Sequence, residues 1–316
     1  MKAKTLMIFG TVFWLCSVFT HTVAQEINEK LCDDLVNDWD NFPVIKQCGL
    51  NGHTAAQDLY STILIARGAN SDNSLERFEW FSQIVKQGNA DAQFYLGLMY
   101  DYGDGVDEND TMAAHWYRFA VEHNHAHAQL NLGLLHDNGD GVPENKTEAV
   151  RLYKLAAAQG LANAQFNLGL RHENGEGVPE DDLEASRWYR LAAEQGHASA
   201  QFNLGRMYHT GEGLPENDAE AFRLYGLAAE QGNSNAQNNL GLMHQNGKGT
   251  IENYIMAYMW YNLSAAQGNE TAKNNKDLVR RRMTNGQIRD AQQMSKEWLE
   301  NHNDNKNNLA PWRQEE

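Results

Sequence analysis

The chain has 316 residues with 42 acidic and 26 basic side chains, a formal net charge of −16. A surface this acidic repels phosphate backbones, which argues against nucleic acid as a partner and favours cationic ones. Lys2 and Lys4 precede an apolar run from Leu6 to Phe19, and Thr22-Val23-Ala24 supplies a small-residue cleavage pattern. Residues 1–24 therefore read as a secretory signal peptide cut after Ala24. The run falls short of the ~20 residues that span a bilayer. Leu15 and Trp14 before Cys16 do not make a lipoprotein box, and no later stretch is apolar enough to cross. No stable membrane insertion is expected once the signal is removed, and losing its two lysines takes the net charge to −18. Two cysteines remain, Cys32 and Cys48, in a segment 25–52 read as an N-terminal cap. In an exported chain such a pair reads as a disulfide, which for a loop of this size contributes about 3 kcal/mol. No histidine or further cysteine stands beside them at metal-ligand spacing.

A block of 36 residues then recurs without insertion or deletion. A-Q-x-x-L-G begins at Ala92, Ala128, Ala164, Ala200 and Ala236. A fixed period of this length marks units that bury their apolar faces only by stacking, which predicts an all-α solenoid. Each unit reads as two helices. The first, over about 126–138 in the second clear unit, carries Ala128, Leu132 and His136 on one stripe and is stopped by Gly139. The second, over 148–159, carries Ala149, Tyr153 and Ala156 and ends at Gly160. Glycine inside the first helix, as at Gly133 and Gly169, costs about 1 kcal/mol against alanine, so it is expected where a partner helix approaches closely. A decayed copy upstream (Gly52, Gln57, Trp80, Phe81) extends the array to 53–268, one degenerate and five clear repeats. Residues 269–300 read as capping helices, with Thr284 and Gln287 as a capping box for a helix to about Trp298. The polar tail 301–316 is expected to be disordered.

The strings Ala164-Gln165-Phe-Asn-Leu-Gly169, Gly175-Glu-Gly177-Val-Pro, Trp188-Tyr189 and Ala192-Ala193-Glu-Gln-Gly196 resemble the Sel-one-like repeat (SLR) family, a relative of the tetratricopeptide repeat. The resemblance covers about two-thirds of the chain. It implies a right-handed α-solenoid of helix–turn–helix repeats that mediates protein–protein contacts. Some cysteine-rich exported members are linked to β-lactam hydrolysis, but they carry a cysteine pair in each repeat, and this chain has none within its repeats.

Asn131, Asn167, Asn203 and Asn239 form a column one residue before the buried leucine of each first helix, with Tyr95 in the leading copy. Similarity to tetratricopeptide repeats places this face on the concave groove, together with Asn163 and Arg206. Asparagine both donates and accepts hydrogen bonds, so the column would grip the backbone of a peptide, with Arg206 able to pair with a carboxylate. The other reading is that the asparagines bond neighbouring helices. His123, His125 and His127 alternate at one repeat junction, but in the repeat frame His123 replaces the usual glutamine and His127 is a variable position on the next helix, which argues against metal ligands. His136, His172 and His244 share a column with Tyr100 and Tyr208 and read as packed rings. Loops such as Asp137-Asn-Gly-Asp-Gly141 lack the distal glutamate of a calcium loop and follow turn chemistry. Asn109, Asn145, Asn262 and Asn269 sit in glycosylation sequons.

No catalytic constellation, cofactor loop or metal set emerges from the sequence. The expected function is an exported protein–protein interaction scaffold, secreted or periplasmic, that binds a peptide or protein, with a cationic ligand favoured, and is not an enzyme. The alternatives are an exported hydrolase acting on cell-wall material or β-lactams, and a purely structural part of an envelope assembly.

Overall fold

A computed structural model describes residues 42–66 and 71–306. The signal segment, Cys32 and residues 307–316 lie outside the described residues. Those that are described form fifteen α-helices and no strand. The chain divides into two compact units, residues 1–119 and 120–316.

In the first unit, α1 (Phe42–Leu50) precedes the hairpin of α2 (Thr54–Ala66) and α3 (Ser71–Ile84), then α4 (Ala90–Tyr102) and most of α5 (Asp110–Glu122). Its core gathers Ile45, Cys48, Tyr60, Trp80, Phe81, Ile84 and Leu96. The Trp80 indole stacks at a tilt on Tyr60, 4.5 Å between centroids, and its Nε1 donates to Ser61 Oγ at 3.0 Å. Arg77 is only 5% exposed, and its guanidinium is held by the Asp104 carboxylate at 2.7–3.1 Å. Burying that cation is tolerable because it is paired and hydrogen-bonded.

The second unit is a regular α-solenoid. Its hairpins are α6 (Ala126–Asn138) with α7 (Lys146–Ala158), α8 (Ala162–Asn174) with α9 (Asp182–Glu194), α10 (Ala198–Thr210) with α11 (Asp218–Glu230), and α12 (Ser234–Asn246) with α13 (Tyr254–Ala266). Every one of these helices is 13 residues long. The boundaries have identifiable chemistry. Asn145, Asp181, Asn217 and Asn253 accept the N–H three residues on and cap the second helices, the preferred residue types for that position. The N–H of each of these caps donates back to a first-helix carbonyl, as from Asn145 to His136 at 2.7 Å. His125 and His197 cap first helices through Nδ1, each 3.2 Å from the N–H of the third residue on.

The internal glycines explain the tightness of the hairpins. A Cβ on Gly133 would lie 2.6 Å from Tyr153 Cε1, and one on Gly241 would lie 2.7 Å from Tyr261 Cε1. The tyrosines of this column are at most 1% exposed. Glycine therefore admits a whole aromatic ring against the helix backbone, which outweighs its poor helix propensity. In the loops, Gly213 serves a second contact, since a Cβ there would stand 2.6 Å from the Asp182 backbone of the preceding repeat.

The array closes with α14 (Glu270–Arg280) and α15 (Asn285–Lys306). Thr284 and Gln287 form the reciprocal capping box, with the Thr284 N–H donating to Gln287 Oε1 at 2.9 Å and the Gln287 N–H donating to Thr284 Oγ1 at 3.3 Å. The last helix continues to Lys306, past Trp298 and into the segment expected to be disordered. It does so because Trp298 is anchored on the repeats and the turn after it is held by His302, whose ring stacks on the indole at 3.8 Å.

Two glycines of the second unit provide a test. Gly133→Ala, driven into Tyr153, is expected to destabilise by about 1–3 kcal/mol as an overpacked core does. Gly226 lies mid-helix in α11 with nothing within 4 Å of an added Cβ, so Gly226→Ala is expected to stabilise by about 0.5–1 kcal/mol. Thermal unfolding that moves in the same direction for both variants would refute the ring-on-glycine account.

Candidate binding face

The first helices of the second unit carry the candidate face. Three of the four glycine-facing tyrosines of the unit's second helices extend their hydroxyls across the hairpin to the residue 16 positions earlier. Tyr153 donates to Asp137 at 3.2 Å, Tyr189 to Glu173 at 2.5 Å and Tyr261 to Gln245 at 2.9 Å. Burial pushes these phenols well above their usual range, with Asp137 and Glu173 adding to the effect for their partners. At Tyr225 the residue 16 earlier is His209, and the hydroxyl is buried without a well-formed hydrogen bond. Burial raises that phenol to about 12.

Two of these acceptors, Asp137 and Glu173, are themselves clamped by arginine. Asp137 is 7% exposed and takes Arg171 at 3.2 Å and Lys146 at 3.3 Å, while Arg171 also reaches Glu176. Glu173 takes Arg206, which also pairs with Glu212. The guanidinium nominated for a ligand carboxylate is thus already held between two carboxylates of its own chain. Asp137, at the start of the loop weighed for calcium, is committed to the same network.

The asparagine column divides. Asn203 lies against the Tyr189 hydroxyl and Asn239 against that of Tyr225, where their amides favour the phenolate form. Asn131 is also engaged rather than free. Asn163 and Asn167 are half-buried on α8 and make no side-chain hydrogen bond among the described residues. Asn167, in the column, and Asn163, beside it on the same face, are the amides left open.

The histidines are placed by packing. His244 is 8% exposed and meets Phe222 edge-on at 5.1 Å. His125 is a helix cap, with the His127 ring 6.1 Å away. Sequon residues Asn109, Asn145 and Asn269 also cap helices through Oδ1. A second feature was missed by sequence reasoning. Gln165, Gln201 and Gln237 are buried. Each accepts from a glutamine 30 residues on, Gln195, Gln231 and Gln267, at 2.7–2.9 Å. Each also donates to the preceding repeat, at Ala157, Ala193 and Ala229 carbonyls. The paired glutamine columns are visible once the copies are set in register, and that spacing is the signal that could have revealed the bond.

The family model of the Sel1 repeat matches residues 90–125, 126–161, 162–197, 198–233 and 234–269. The chain belongs to the Sel1 repeat family. Sel1 repeats generally serve as protein–protein interaction scaffolds and are typically non-catalytic. The chain is similar to the crystal structure of a protective antigen of uropathogenic Escherichia coli displaying an SLR fold, at 30% identity and a TM-score of 0.71 over 82% of this chain. It spans 55% of that antigen's length. A Sel1 repeat protein from Oxalobacter formigenes is similar at 32% identity and a TM-score of 0.65, covering 77% of this chain and 95% of the other. No curated protein matches the chain. Among the described residues no helix is long and apolar enough to cross a membrane.

Three histidines of these Sel1 repeats make stability depend on pH. Burial lowers the pKa of His172, His197 and His244, in each case as the largest cause. Their folded values therefore lie below the unfolded value of about 6.5. The folded state favours the neutral ring, so the stability they contribute is full above that value and is lost as pH falls through the folded ones. Melting temperature is expected to drop from about pH 7.5 to 5.5, a window set on either side of the unfolded imidazole value. His197→Asn, which keeps a capping oxygen but cannot titrate, is expected to shrink the drop. A flat profile for the wild type would overturn this assignment.

Proposed function

We propose that the chain is an exported interaction scaffold, secreted or periplasmic, that binds an extended peptide or protein segment along the concave face of its repeats. The observation that carries this reading is the pair of unbonded, half-buried amides of Asn163 and Asn167, on a face where neighbouring asparagines are occupied by tyrosine hydroxyls. Two open amides four residues apart on one helix share a face and present both donors and acceptors to a peptide backbone. The acidic balance of the chain favours a cationic ligand. Export is supported by the leader-like segment before Ala24, and a Cys32–Cys48 disulfide by the burial of Cys48 in the N-terminal core. In this reading Asn131, Asn203, Arg206 and Asn239 shape the groove while Asn163 and Asn167 grip the ligand.

The test selects a binder from a peptide array with the full chain and then measures its affinity by fluorescence polarisation. Asn163→Ala with Asn167→Ala is expected to weaken binding about tenfold or more, from two lost hydrogen bonds of about 1 kcal/mol each. Stability should stay within about 0.5 kcal/mol, as for substitutions that break no internal partner. Unchanged affinity, or a collapse in melting temperature, rejects the groove assignment.

A further inference from the structure

The second helices carry an exposed apolar column at the repeat period, separate from the asparagines of the first helices. Leu155, Leu191 and Leu227 are 37–44% exposed, whereas Leu263, the next member, is 1% exposed. The difference is made by α15, which lies over α13. Ala291 is fully buried there, and Ser295 Oγ reaches the Met259 carbonyl at 3.4 Å. Trp298 packs edge-on against Trp260 at 6.2 Å between centroids, and its Nε1 donates to Glu230 Oε2 at 2.9 Å. The indole thus spans the seam between second helices α11 and α13.

Translation by one repeat carries this seat onto the seam between α9 and α11. Glu230 maps to Glu194, Trp260 to Leu224, and Leu263 to Leu227. There the structure has an open cleft of about 300 Å³, lined by all three counterparts, by Leu204 and Tyr208, and by the charged Arg190, Glu220 and Arg223, with Leu224 itself only 2% exposed. Glu194 is exposed and makes no side-chain hydrogen bond among the described residues. The cleft is therefore the vacant equivalent of a seat that the chain fills with its own helix one repeat later.

We propose that the cleft between α9 and α11 docks an amphipathic helix of a partner protein whose tryptophan packs on the exposed Leu227, over the buried Leu224, and donates its indole N–H to Glu194. The chemistry of the occupant follows from α15. It bears small residues seven and three positions before the tryptophan, as Ala291 and Ser295 precede Trp298, so that the two backbones approach closely. Aromatic anchors of this kind in a small pocket carry most of the energy of an interface, and helix-in-groove recognition requires little more than such anchors on one stripe.

A labelled peptide of residues 285–306, titrated onto the full chain by fluorescence polarisation, tests the proposal. Saturable binding is expected. Glu194→Ala should weaken it about tenfold, the scale of one hydrogen bond to a charged group, and Leu227→Glu should abolish it. Both sites are exposed, so unchanged circular dichroism and melting temperature are expected to accompany the loss. Trp298→Ala in the peptide should have the same effect, while Glu230→Ala in the protein should not weaken binding. Weakening by Glu230→Ala but not by Glu194→Ala would show that the peptide merely displaces α15 and would overturn the proposal. So would the absence of saturable binding up to ~1 mM peptide, the weak limit of specific recognition.

Discussion

The contact of a tyrosine ring with a glycine backbone, repeated once per hairpin, governs the geometry of everything around it. With Tyr153 lying on Gly133, the two helices of a repeat stand too close for any other side chain at the glycine. The ring is then wholly buried, and its hydroxyl has only one direction in which to find a partner. That partner is the residue 16 positions back, at the C-terminal turn of the first helix. A buried hydroxyl without a partner carries a desolvation cost, so the acceptor column of Asp137, Glu173 and Gln245 answers to the tyrosines. The acceptors in turn hold Arg171 and Arg206. A packing requirement in the core thereby sets the charge pattern of the candidate face.

Repeats are joined to one another by a different device. Gln165, Gln201 and Gln237 each bond the end of their own second helix and a carbonyl of the previous one, a buried amide with both ends used, and Gln129 does the same with the Asn124 side chain in place of the carbonyl. Such a bond fixes register in a way that apolar contact does not, because a slipped repeat would bury unsatisfied amide groups. Gln93 shows the departure. Its Oε1 is buried without a partner, and the residue 30 positions on is His123 instead of glutamine. Asn124, one residue later, stands where the following repeats have Gly160, Gly196 and Gly232, and adopts the positive φ of 60° that asparagine tolerates.

Two surfaces follow from one repeat. The first helices offer amides, some spent on internal tyrosines and some open. The second helices offer a row of leucines that a helix of the same chain already covers at one end. An array with separable faces suits an interaction scaffold, since one face can hold a ligand while the other holds an assembly partner.

The period, the helix boundaries and the buried columns were legible from the sequence because each depends on local spacing: proline and glycine at loop positions, caps three residues before their N–H partners, and alanine, leucine and tyrosine on one stripe. The asparagine column was legible as a column, but its split was not. Asn167 and Asn203 occupy the same place in their repeats, yet only the latter lies against a tyrosine hydroxyl noted in the previous hairpin. Arg206 was visible as a lone cation, while its engagement by Glu173 and Glu212 depended on where two loops end. Trp298 donates to Glu230 across 68 residues, a pairing no repeat frame contains. The sequence by itself determined which residues must be inside, since burial follows from periodicity. Only the tertiary structure decided which polar groups were consumed and which were left open, because hydrogen bonds depend on the direction of side chains from different repeats and not on their spacing along the chain.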